Sequence, residues 1–314
     1  MNGEAPSTSS SDALPTLGVL FAAIMSGLAW LPLHAAARAG VNGLWITLAV
    51  VVVASLPLLP RLPAVLRARG RDLRDLWWIG ALIGVDYAFY TASLTTTDVA
   101  RAILLFYIAP VWGTLLEVFV LREGFTLRRA ASLTLGAAGL ATILGIGLGF
   151  DVAMNLGDVL ALLSGILWSI GLLFVFRRRG TAVGTQSAAL AVGALAGAAA
   201  MAVLLEPSPP PDIGTLIDAL PWLLLAGLLF VMPVWVISLW AGRRISPART
   251  TIIFMAEVCV GVGSAAFWAG QGFGWREMAG TLLVLAAAAV ELRPVRDVAK
   301  PGALLSDPGT GPAS

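Results

Sequence analysis

The sequence predicts an all-α polytopic membrane protein with ten transmembrane helices arranged as two inverted five-helix repeats. Three observations carry this reading. The first is composition: 58% of the 314 residues are apolar and 12% are charged, and the mean hydropathy is +0.89. A soluble domain is nearer ~45–50% apolar and ~25% charged. A water-soluble fold of this composition would expose too much apolar surface, whereas a bilayer accepts spans of about 20 mainly apolar residues. The second observation is where the basic residues fall, and the third is an internal repeat.

The elements follow in chain order. Residues 1–13 are polar, Ser-rich and acidic, lack the basic start of a secretory signal, and read as a disordered tail. Ten apolar windows bounded by charge or turn clusters then lie near 16–36, 42–60, 77–95, 100–120, 130–148, 158–176, 186–205, 220–241, 250–270 and 276–292. Residues 298–314 are rich in Pro, Gly and Ser and read as a second disordered tail. The two repeats occupy 14–150 and 151–297.

The basic residues test the count. With both termini cytoplasmic, 17 of the 20 Lys and Arg residues fall inside, and only Arg38, Arg101 and Arg276 fall outside. That asymmetry is the positive-inside pattern, and an error of one span would scramble it. The expected location is a bacterial-type inner (plasma) membrane, with both termini cytoplasmic. The net charge of +2 gives no footprint for nucleic acid. One Cys and one His (Cys259 and His34) exclude an intrachain disulfide and any metal site that needs two His. The sequence predicts no metal and no cofactor.

The repeat appears when the chain is shifted by 148 residues. Segment 100–135 then faces 248–283 without a gap, with Ala100/Ala248, Arg101/Arg249, Phe106/Phe254, Gly113/Gly261, Gly124/Gly272, Phe125/Phe273, Arg128/Arg276, Ala131/Ala279 and Leu135/Leu283 identical. Five spans per unit is odd, so the second unit enters the membrane from the opposite side. Secondary transporters use this architecture, with the site at the midplane where the halves meet.

The segment PVWGTLLEVFVLREGFTLRRAASLTLGAAGLATIL, with Pro110 and the Arg122-Glu123 pair, resembles the signature of the drug/metabolite transporter superfamily, EamA type. In the second half the matching pair is Gly270-Gln271, a departure from the expected Glu. Within that superfamily, LLFYIAPVWGTLL (104–116) resembles bacterial amino-acid exporters of the YddG kind. The resemblance implies a transporter of amino acids, drugs or other metabolites, and the fold alone does not name the cargo.

Ionisable residues at membrane depth mark functional sites. Asp86 lies nine residues into its window, about 13 Å deep at ~1.5 Å per residue. Asp86, Tyr90, Ser93 and Thr97 share one helix face, a polar stripe that predicts a cavity. Glu257 lies about 10 Å from the Arg249 end of its span and faces Ala109 under the shift. A carboxylate there binds an ammonium group or carries a coupling proton; the competing reading is an internal bridge.

Tyr90, Tyr107, Trp112, Trp168 and Trp235 fall inside spans and are candidates for the wall of a pocket. Trp77, Trp78, Trp222 and Trp275 fit interfacial anchors. Pro110, Gly113 and Gly261 are candidate hinges, with plain packing as the alternative. Arg101 is read chiefly as structural, His34 as a helix–helix hydrogen-bond partner and Cys259 as packing.

The functional expectation is a secondary exporter of small amphipathic metabolites, chiefly amino acids including aromatic ones, working by alternating access through a central cavity. Its partners are the small-molecule cargo and the bilayer, with proton-coupled and facilitated transport as the two alternatives for drive. Cationic drugs are the rival cargo class. No Walker A motif is present, so ATP drive within this chain is not expected. An intramembrane enzyme lacks the necessary metal clusters and any GxSxG context, and a channel fits the inverted repeat less well.

Overall fold

The computed structural model describes residues 13–109, 112, 127–144, 153–177, 181–241, 244, 253–254, 256–268 and 274–291. The described residues are helical with short connections and contain no strand. In chain order the helices are α1 (Ala13–Leu28), α2 (Trp30–Arg38), α3 (Gly43–Ser55), α4 (Leu62–Arg67), α5 (Gly70–Ile79), α6 (Val85–Thr96) and α7 (Val99–Phe106). They continue with α8 (Leu127–Leu144), α9 (Leu156–Arg177), α10 (Val183–Leu204), α11 (Ile213–Leu224), α12 (Met232–Ala241), α13 (Ala256–Trp268) and α14 (Trp275–Glu291). A 3-10 turn, Leu56–Arg61, joins α3 to α4.

Four of these stretches are long and apolar enough to cross a membrane: Ala13–Arg38, Gly43–Arg67, Val183–Leu204 and Ile213–Ala241. In the other six predicted windows the described residues are helical apart from a turn at Tyr107 and Ile108, with shorter apolar runs at Leu156–Gly171, Ala256–Trp268 and Met278–Ala287. The second and third windows extend beyond their predicted edges, to Arg67 and from Gly70. Both extensions carry arginines, which hydropathy excludes from a span but which continue a helix readily.

Proline and glycine shape the interior. The backbone breaks at Ala29, between α1 and α2, because Pro32 has no N–H to donate to the Leu28 carbonyl. Two π-helical stretches, Gly80–Gly84 and Leu225–Val231, interrupt the ladder between α5 and α6 and between α11 and α12. Shifting 80–84 by 148 gives 228–232, so the two stretches overlap under the repeat. The second precedes Pro233, whose missing donor the wider turn accommodates. At the first, α10 presses so close that a Cβ on Gly80 would stand 2.7 Å from the Ala189 carbonyl oxygen.

Helices related by the 148-residue shift pack on one another, α3 on α10 and α8 on α14, and α7 packs on α13. The main apolar core runs through these contacts and includes Leu33, Val50, Ile103, Leu104, Leu190 and Trp235. The opposite faces expose large apolar side chains, among them Leu17, Val203, Ile217 and Phe267. Trp77, Trp78, Trp222 and Trp275 are exposed as the anchor reading requires. Cys259, expected to pack, is exposed instead on α13, because that helix buries the face carrying Glu257, Val258 and Gly261.

The loop after α10 is tied to the start of α3. Gly43 adopts φ +44°, and the Glu206 carboxylate occupies the space a Cβ would fill there. Glu206 accepts from the Leu44 N–H at 2.6 Å and from the Ser208 hydroxyl, and Trp45 Nε1 donates to the Ser208 carbonyl at 3.0 Å. Partial burial pushes the Glu206 carboxyl up, but hydrogen bonds from the Ser208 hydroxyl and from the Leu44 and Ser208 N–H groups outweigh it. They hold the group below the ordinary glutamate value. Asp212 caps α11, accepting from the Thr215 N–H at 2.8 Å.

Candidate functional site: a carboxyl group ringed by hydroxyls

Glu257 lies in the first turn of α13 with 2% of its surface exposed. Its helix is drawn against α1 at two glycines. A Cβ on Gly27 would stand 2.9 Å from the Glu257 carbonyl and 3.0 Å from the Gly261 nitrogen. That close approach accounts for Gly261 as a packing position. It also brings Ser26 to the carboxyl group.

Oε1 accepts from the Ser26 hydroxyl at 2.6 Å and from the Tyr90 hydroxyl at 2.5 Å. Oε2 lies 2.9 Å from the Tyr107 hydroxyl, which is also 2.6 Å from the Phe254 carbonyl oxygen. Tyr107 has one hydroxyl hydrogen and two acceptors. As a carboxylate, Glu257 receives all three hydroxyls. As a carboxylic acid, it donates from Oε2 to the Tyr107 oxygen, which then donates to Phe254. The same heavy-atom positions thus serve both protonation states. Hydrogen bonds to a charged group are each worth about 1.5–3 kcal/mol, which offsets part of the cost of burying the carboxylate.

Aromatic rings surround this group. Centroid separations run from Tyr90 to Phe106 (4.7 Å), Phe106 to Tyr107 (5.3 Å), Phe106 to Trp168 (6.5 Å) and Trp168 to Phe254 (6.4 Å). They continue from Trp168 to Tyr87 (6.1 Å) and from Tyr87 to Trp235 (6.0 Å). Tyr87 donates to Ser238 at 3.4 Å.

Of the sequence-predicted residues, the structure joins Tyr90 and Tyr107 directly to Glu257 and sets Trp168 and Trp235 in the ring layer. Asp86 is 1% exposed, one helical turn before Tyr90. Trp112 is half-buried against the main core, its indole nitrogen without an acceptor. Pro110 and Gly113 lie outside the described residues, as do Glu117, Glu123 and Arg249. Along the polar stripe Asp86, Tyr90 and Ser93 are buried. Ser93 and Thr97 turn to other partners: Ser93 to the Tyr90 carbonyl, Thr97 to Asp158.

Sequence reasoning missed Ser26, Tyr87, Phe106 and Phe254 in this layer. It also missed Asp158. That residue is fully buried and ion-paired with Arg101 at 2.7 Å, accepts from Thr97 at 2.9 Å, and receives the Asn155 N–H at 2.9 Å. The signal available was repeat symmetry for Phe106 and Phe254, since both are identical mates, and the opening acidic turn of α9 for Asp158. His34 meets its expectation: its Nε2 donates to the Leu94 carbonyl at 2.9 Å.

Comparisons with known proteins agree with the architecture. No curated protein matches the chain. A solved crystal structure, described only as that of a protein, aligns with a TM-score of 0.54 at 22% identity, over 88% of this chain and 96% of its own, which shows a shared fold. The EamA-like transporter family model matches twice, over residues 14–145 and 155–292. The repeat read from the sequence is therefore a repeat of a known transporter unit, and this multi-pass membrane protein belongs to the EamA-like transporter family.

Proposed function

We propose that the chain is a secondary exporter of small amphipathic metabolites, chiefly amino acids including aromatic ones, in a bacterial-type inner membrane. In this reading ten helices cross the bilayer with both termini cytoplasmic. Halves 14–150 and 151–297 have opposite orientation and carry tails 1–13 and 298–314. The halves rock about the ring layer, exposing it to one side and then the other.

One observation carries the proposal. The Glu257 carboxyl belongs to the second half, and its three hydroxyl partners, Ser26, Tyr90 and Tyr107, all belong to the first. A titratable group that fastens the halves together links its own protonation to their separation. Proton coupling follows from that linkage, since a ligand or proton shifts a conformational equilibrium by its differential affinity for the two states. The closed packing of the layer suits the occluded step every alternating-access carrier passes through.

Counterflow in proteoliposomes against a panel of amino acids tests the proposal. A carrier gives saturable uptake and transient accumulation driven by unlabelled cargo on the other side. Uptake that never saturates indicates a channel, and chemical change of the probe indicates an enzyme. Carboxyl groups among aromatic rings also suit organic cations, so accumulation of quaternary ammonium dyes in place of amino acids would transfer the proposal to that cargo class.

A further inference from the structure

Two carboxyl groups are buried at the meeting of the halves, and their surroundings differ. Glu257 is fully engaged by Ser26, Tyr90 and Tyr107. Asp86 is 1% exposed, and its Oδ1 has no hydrogen-bond partner. Trp235 is wholly buried, and its Nε1 has no acceptor. Tyr87, the residue after Asp86 in the chain, packs its ring 6.0 Å from that of Trp235, which links the two through one aromatic side chain. Buried polar groups in native folds are almost always paired. An unused acceptor and an unused donor between aromatic walls form the complement of a ligand that carries a donor and an acceptor on an apolar body.

We infer that Asp86, and not Glu257, takes the ammonium group of the cargo, while Trp235 Nε1 donates to an acceptor at the cargo's other end. This rests on the transporter reading and adds its recognition chemistry: a primary amine beside an aromatic or apolar body. Arg101, a cation on a neighbouring helix, is committed to Asp158. A carboxylic acid without an amine therefore meets a carboxyl group where it would need a cation.

The test uses the full chain in proteoliposomes with three probes: L-phenylalanine, 2-phenylethylamine and 3-phenylpropionate. Wild-type protein is expected to exchange the two amines and to ignore 3-phenylpropionate. Asp86→Asn is expected to weaken both amines ~10-fold or more, the range for losing one hydrogen bond to a charged group, and Asp86→Glu to recover part of that loss. Glu257→Gln is expected to keep the preference for amines over 3-phenylpropionate while losing the pH dependence of exchange. Trp235→Phe is expected to weaken L-phenylalanine more than 2-phenylethylamine, and it decides the matter if Asp86→Asn fails to insert. Wild-type exchange with amine affinity unchanged in Asp86→Asn, or equal exchange of 3-phenylpropionate, would overturn this inference and leave the transporter reading standing. Absence of exchange with every probe in folded wild-type protein would overturn both.

Discussion

Tyr87 and Trp235 occupy corresponding positions of the two repeats, 148 residues apart, and their rings pack 6.0 Å from each other at an interplanar angle of 59°. A residue can touch its own repeat mate only beside the symmetry element that relates the repeats. Phe106 and Phe254, also mates, flank Trp168 at 6.5 and 6.4 Å. The ring layer therefore lies where the two repeats meet. Glu257 sits in that layer, fastened to the opposite repeat.

Tyr90→Phe removes one hydroxyl from Glu257 Oε1 and leaves the ring against Phe106. Loss of a hydrogen bond to a buried charged group is expected to destabilise the protein by about 1.5–3 kcal/mol. Thermal unfolding in detergent at neutral pH measures it. An unchanged midpoint would mean that Ser26 and Tyr107 alone satisfy the carboxyl group.

Gly27→Ala places a methyl group 2.9 Å from the Glu257 carbonyl oxygen. Since the neighbour is backbone, α1 and α13 must separate. The expected loss is about 1–3 kcal/mol, the usual range for overpacking. The separation also draws Ser26 away from Glu257, so flux is expected to fall with stability. Comparison with Gly263→Ala, whose added methyl meets nothing within 4 Å, isolates the effect of the crossing.

Arg101 and Asp158 form a buried pair between α7 and α9, with Asp158 fully buried. Asp158→Ala leaves a buried guanidinium without its counter-charge and is expected to cost about 3–5 kcal/mol. The double variant Arg101→Met with Asp158→Ala is expected to recover a large part of that loss. A double-mutant cycle on unfolding midpoints reads the difference.

Glu206 gives a pH signature outside the membrane spans. Its carboxyl is held below the ordinary glutamate value, so its contribution to stability is full above that value and is lost as pH falls through the depressed one. Glu206→Gln is therefore expected to be less stable than wild type at neutral pH and equal to it in acid. Unfolding midpoints of the two proteins across an acid series check the sign. A difference that persists in acid would assign the effect to packing at Gly43.

The sequence makes the carboxyl groups conspicuous because each stands alone within an apolar window, and the repeat makes the packing of mates foreseeable. The hydroxyl ring around Glu257 was hidden for a physical reason. Ser26 lies 231 residues away in the chain and Tyr90 167 residues away, and a serine or tyrosine in an apolar span carries no local sign of its partner. The π-helical stretches were hidden because hydropathy does not register one extra residue per turn. Helix periodicity gives the polar stripe a face but not the groups that pack on it, so Tyr87 and Phe106 were not foreseen in the layer. Asp158 escaped notice because an acidic residue in a first turn ordinarily answers to the helix dipole; its ion pair depends on where α7 comes to lie.

The proposed coupling of a proton to transport through the Glu257 carboxyl is decided by exchange measured at two pH values on Glu257→Gln. Glutamine keeps the size and cannot titrate. Wild-type counterflow of an aromatic amino acid is expected to change between pH 6 and pH 8. Glu257→Gln, inserted and monodisperse, is expected to be at least about tenfold slower, the equivalent of ~1.4 kcal/mol, and flat across the same interval. Wild-type rates with the same pH dependence in Glu257→Gln would contradict proton coupling through this carboxyl and leave Glu257 a structural bridge between the halves.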